Sequence, residues 1–191
     1  SVVPRARLDL SPPELRELGA VVAARVLSRR SPAGDPALEA YVALVGQSVL
    51  ASPEPRRAWH GYRFVVLEGQ RAETFASPCG CIFVSRGALG AAEDEDEVAA
   101  LLAREIAHVS LLHPLTVVGA GTMERLRATA SPGDAGVSQR AEDGTQEARE
   151  RLARLLHEVA EDVEAALLDR GYSDELEIEA DRVAVGYLRS A

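Results

Sequence analysis

The sequence predicts an α+β domain, mostly helical, with a small β-sheet of about three strands. Three observations predict it. Aromatic residues make up only 4% of the 191 residues, whereas strands draw heavily on aromatic and β-branched side chains. Apolar residues recur at helical spacing on both sides of a central region. That central region, from Tyr62 to Gly87, holds three short β-type runs separated by turn residues. The length suits one domain with an adequate core, so residues 1–191 are read as a single unit.

Residues 1–60 are expected to supply two helices. "SPPELRELGAVVAARVLSRR" opens on Ser11 as N-cap, carries prolines in its first turn, and places Leu15, Leu18, Val22 and Val26 on one face. "DPALEAYVALVGQSVLAS" repeats the design with Asp35 as cap and Pro36 at the first helical position. After the Pro-rich "SPEPRR", the strands are "YRFVVLEG", "AETFASP" and "CIFVSRG", with Gly69 and Pro78 to Gly80 as turns. A helix follows from Glu93 to Leu112, its "EDEDE" start loading acids where the helix dipole favours them. Residues 131–146, "SPGDAGVSQRAEDGTQ", lack periodicity and are read as a mobile loop. Glu147 to Arg170 forms another helix closed by Gly171, and Ser173 caps the last one, "DELEIEADRVAVGYLRS". There is no internal repeat.

Composition removes several function classes. The net charge of −9, with 30 acids against 21 Lys and Arg, gives no footprint for nucleic acid or an anionic membrane. The first residues, "SVVPRARLDLSPPEL", contain no apolar stretch of the signal-peptide kind, which leaves a removed leader open. The longest run without a charged residue, Ile106 to Met123, holds His108, His113, Pro114, Gly119 and Gly121, so a buried segment is expected rather than a membrane span. Cys79 and Cys81 make no disulfide framework, and a bridge across one residue would be strained, so free thiols are expected. As a metal-binding pair they carry a weak signal without a second pair.

The chemistry centres on "ALLAREIAHVSLLHP", Ala100 to Pro114. In the pattern His-Glu-x-x-His, two histidines four apart share a helix face and grip one metal ion, while the Glu acts as general base. Here the first position is Arg104, leaving Glu105 and His108. Glu105 lies amid an apolar stripe of Val98, Leu101, Leu102, Val109 and Leu112, where a carboxylate needs a partner, an ion or a proton. On the last helix, Glu177 and Asp181 stand four apart, a like-charge pair unfavourable by about 0.2–0.5 kcal/mol on its own. A cation between them reverses that sign. A solvated acidic face accounts for this pair equally well, until Glu105 and His108 are added to it.

Taken in order, "ETFASPCGCIFVSRGAL", "EDEDEVAALLAREIAHVSLLHP" and "GYSDELEIEADRVAVGYL" resemble the zinc metalloendopeptidases of peptidase family forty-eight, the group of HtpX and the CAAX prenyl proteases, and most closely its soluble bacterial members. The resemblance covers about residues 62–190 and implies a zincin-like fold. It implies Glu105 as general base, His108 and Glu177 as metal ligands, Asp181 as the acid supporting a ligand from behind, and Arg104 at the first ligand position. "CGCIFV" matches the family's "GGYIFV", so Cys81, Ile82, Phe83 and Val84 are expected to form an edge strand that pairs with extended substrate. The family has Asn and Ala before the Phe of the preceding strand, where this chain has Glu73 and Thr74.

Arginine offers no lone pair and stays protonated, so Arg104 cannot ligate zinc. His113 lies roughly 140° round the helix from His108 and is read as a helix-end residue. His157 is read as a partly buried helix histidine rather than a replacement ligand. The first functional reading is a metallopeptidase-like domain without resident zinc that binds a polypeptide or partner protein, with Arg104 paired to Glu177, Glu105 or Asp181. The alternative is an active zinc endopeptidase built on His108 and Glu177. A structural module of a larger cell-envelope protein is a third class, and the resemblance admits an envelope or periplasmic setting.

Overall fold

The computed structural model describes residues 10, 12–52, 61–118, 122 and 146–190. Helices α1 (Pro12–Arg29) and α2 (Pro36–Leu50) precede strands β1 (Arg63–Leu67), β2 (Thr74–Ala76) and β3 (Cys81–Ser85). Helices α3 (Arg86–Ala91), α4 (Glu95–Ser110), α5 (His113–Thr116), α6 (Gln146–Ala165) and α7 (Asp174–Ser190) follow. Ser11 and the loop expected at 131–146 lie outside the described residues, except Gln146, which opens α6.

Local signals start the helices where the sequence places them. The Asp35 carboxylate accepts the Leu38 N–H at 3.1 Å, and Pro36 takes the first position of α2. Asp94 does the same for α4, accepting from Glu97 N–H at 3.0 Å, with Glu95, Asp96 and Glu97 in the first turn. The acidic run is therefore a helix start. Beyond α6 the chain continues in a π-helical turn, Ala166–Arg170, which ends at Gly171 in a backbone of φ +73°.

The three strands make one sheet in the order β1-β3-β2, with β3 parallel to β1 and antiparallel to β2. This corrects the expectation for Cys81 to Val84, which form the middle of the sheet and not an edge. The reason is burial on both faces. Val66, Ala76, Ile82 and Val84 pack with α2, α4 and α7, whereas Leu67, Phe75 and Phe83 pack with α1 and α6. A continuous apolar run such as Ile82–Val84 fits a strand with neighbours on either side and helices above and below. The three-residue β2 is the edge beside α4.

Arginines on α1 tie it to α6. Arg25 and Arg29 both reach the buried Glu164, and Arg29 also bonds Asp169 at 2.9 Å. Among the described residues no helix is long and apolar enough to cross a membrane. The uncharged run from Ile106 is broken at Leu112, whose φ of +58° turns the chain out of α4 and into α5.

Helix α1 meets the β2–β3 turn at Gly19, where a Cβ would overlap the side chain and backbone nitrogen of Cys79. Gly to Ala inside a helix ordinarily stabilises by about 1 kcal/mol, but overpacking costs about 1–3 kcal/mol. G19A is therefore expected to lower the urea midpoint. A raised midpoint would show that α1 does not dock there.

Candidate functional site

The face of α4 turned toward the sheet and α7 carries the apolar stripe, so Glu105 is buried with it, 4% exposed. Its Oε1 accepts a hydrogen bond from the Thr74 hydroxyl of β2 at 2.8 Å. Its Oε2 is buried with no hydrogen-bond partner among the described residues. Burial pushes the carboxyl up to about 7, and the charge of Glu177 adds to this, against the pull of Thr74 and Arg104. Glu105 thus sits near the midpoint of its titration at neutral pH.

His108, one turn further, is buried and stacked on the ring of Tyr172, with centroids 4.3 Å apart and 13° between planes. Burial, with the charge of Arg104, lowers it to about 4, so the ring is neutral. Its Nε2 lies 3.5 Å from Glu177 Oε2. Its Nδ1 lies 2.9 Å from Nδ1 of His113, whose Nε2 is 3.5 Å from Glu179 Oε2. One proton lies between the two Nδ1 atoms, so one ring donates through Nδ1 and the other accepts. The accepting ring then carries its own hydrogen on Nε2, facing its carboxylate.

His113 corrects the helical-wheel expectation. The wheel holds only while the helix continues, and Leu112 in the left-handed region starts a new turn that swings His113 back onto His108. Tyr172 was likewise missed, because the π-helical turn and Gly171 that bring it under His108 leave no periodic trace. Its hydroxyl is buried without a hydrogen-bond partner among the described residues, and burial beside Glu105 and Glu177 raises its pKa well above the usual phenol value. His157 is exposed on α6 and lies 3.2 Å from Arg25, in the α1–α6 contact.

Arg104 reaches across to α7, where its Nε donates to Asp181 Oδ1 at 2.7 Å. Both side chains are about half exposed, so solvent weakens the pair. Arg104, Thr74 and Ala72 line two adjoining cavities. One, about 310 Å³, also contains Glu73, Glu105, Leu167 and Glu177. The other, about 400 Å³, is walled by Ala88, Ala91, Ala92, Ala100 and Leu101. Glu73 is held at the rim by Arg30, with contacts of 3.1 and 3.3 Å.

Arg104, Glu105 and Glu177 therefore meet at one cleft, with His108 behind Glu177 and Asp181 beside Arg104, and Cys81 to Val84 do not border it. Among the described residues no group of three or more His, Cys, Asp or Glu side chains could hold a metal ion. Residues 36–191 match peptidase family M48. The chain belongs to that family. The match reaches back through α2, beyond the stretch that carries the sequence motifs. Comparison with curated proteins gives no match. The M48 domain is thus a metallopeptidase-like α+β domain, with α1 lying ahead of the matched span.

The titration of Glu105 has a signed consequence. In chelator-treated protein the folded chain keeps this proton between about 4.5 and about 7, where the unfolded chain has released it. Folding stability then falls as pH rises through that window, by on the order of 3 kcal/mol. E105Q is expected to flatten the decline, measured by urea unfolding across the window. An unchanged slope in E105Q would assign the effect elsewhere.

Proposed function

We propose that this M48 domain works without a resident zinc and holds an extended segment of a polypeptide or partner protein in its cleft. The observation that carries the reading is the place of Arg104, which stands immediately before Glu105 and reaches Asp181 at 2.7 Å. A guanidinium supplies positive charge to the acids of the cleft with no lone pair for a metal. The family's remaining ligand positions, His108 and Glu177, make two protein ligands, where catalytic zinc takes three and structural zinc four. This donor set does not fit zinc. Within the family, the motifs favour the group of HtpX and the CAAX prenyl proteases, soluble bacterial type.

Three features support a polypeptide as the occupant. The strand beside the cleft is β2, a sheet edge to which an extended segment can add. The alanine-walled cavity suits an apolar side chain. Glu105 Oε2, on the cavity wall, is a buried acceptor with no hydrogen-bond partner among the described residues, and a peptide group brings the matching N–H. The edge that receives substrate is thus assigned to β2, in place of Cys81 to Val84.

A second reading, an active endopeptidase with an unusual zinc site on His108 and Glu177, is favoured by Glu105 itself. A carboxyl pushed up to about 7 is suited to general-base work at neutral pH. Zinc analysis of protein purified without chelator or metal-affinity steps separates the two. Well under one zinc per chain is expected, with R104H raising it toward one. Near-stoichiometric zinc in the unmodified chain, with peptide hydrolysis, would replace the first reading by the second.

A further inference from the structure

The turn joining β2 to β3 carries both cysteines of the chain. The Gly80 N–H bonds the Ser77 carbonyl at 3.0 Å, and the Ser77 N–H bonds the Cys81 carbonyl at 2.8 Å. Pro78 and Cys79 therefore occupy the corner of a four-residue turn, where proline presets the backbone. Gly80, at φ +93°, takes the left-handed backbone that returns the chain into β3. The result places the Cys79 sulfur 3.8 Å from the Cys81 sulfur and 3.2 Å from the Ser77 hydroxyl. Both thiols are free and half-buried. Gly19 of α1 packs directly on Cys79, holding it against the turn.

We propose that Cys79 and Cys81 form a redox-active dithiol that exchanges with low-molecular-weight disulfides of the glutathione class, Cys79 attacking and Cys81 resolving. The surroundings divide these roles. Hydrogen bonding with the Cys81 thiol and Ser77 brings Cys79 down to about 6, while the same contact with Cys79, and then burial, push Cys81 up. The pair thus holds one thiolate and one thiol at neutral pH, and the thiolate is the nucleophile. Closing a bridge across a single residue strains it, and strained bridges are readily reduced. The disulfide is accordingly a reversible state and not a structural staple.

The exchange balances in two steps. The Cys79 thiolate attacks one sulfur of the external disulfide, forming a mixed disulfide and expelling one external thiolate. The Cys81 thiol passes its proton to that leaving thiolate through solvent, then attacks Cys79 Sγ, forming the Cys79–Cys81 bond and expelling the second thiolate. Two electrons pass from the protein pair to the external disulfide, which leaves as two thiols once solvent supplies the remaining proton.

The full chain is to be incubated with oxidised glutathione in excess and followed by free-thiol counting and intact mass. The unmodified chain should lose both thiols without gaining glutathione, and dithiothreitol should restore them. C81S should stop at one stable glutathione adduct, and C79S should react roughly tenfold slower or less. The alkylation rate of the unmodified chain should rise with a midpoint near 6 rather than near 9, a readout that needs no variant. A glutathione adduct that persists on the unmodified chain, chains linked to each other by disulfides, or two thiols that survive unchanged would each overturn the proposal.

Discussion

A carboxyl group on the apolar face of α4 is the constraint around which the domain is arranged. Glu105 cannot turn away, because the residues beside it, Leu102, Ile106 and Val109, must face the core. An ionised carboxylate there is costly unless its neighbourhood supplies donors or positive charge. The fold answers with one hydroxyl from β2 and with the field of Arg104, and leaves the rest of the cost to protonation. The sheet therefore bears on the cleft through β2, and α7 bears on it through the acids that Arg104 offsets.

Two departures from regular helix geometry complete the cleft. Leu112 takes a backbone that side-chain-bearing residues seldom adopt, and this gives His113 its place against His108. The π-helical turn after α6 contributes Leu167 and Leu168 to the cavity wall, and delivers Tyr172 to the far face of the His108 ring. Such turns are frequent at functional sites because they re-aim a side chain without ending a helix. His108 is thereby fixed from two directions.

What was legible in the sequence follows from periodicity. The apolar stripe of α4 exposed Glu105 as an anomaly, and the spacing of Glu177 and Asp181 put both on one face of α7. The cap at Asp35 and the acidic run from Glu93 gave the starts of two helices to within a couple of residues, since both signals are local chemistry. Strand order is not local. "CIFVS" reads the same as an edge or as a centre, and only the packing of α1 and α6 against one face and α2, α4 and α7 against the other decides it. His113 and Tyr172 were hidden for a related reason, because both arrive through backbone irregularities that no hydrophobic pattern encodes. Thr74 was visible as a departure from the family pattern, but its hydroxyl could not be joined to Glu105 without the sheet.

Helix α1 lies outside the span matched to the family, yet Leu15, Leu18, Val22 and Val26 help build the core on one face of the sheet, against Phe75 and Phe83. The matched span and the unit of folding therefore have different boundaries in this chain. Excising the matched segment alone would uncover an aromatic sheet face and strand Glu164 without the arginines that neutralise it. The cleft lies within the matched span, but the packing that holds it up includes a helix outside that span.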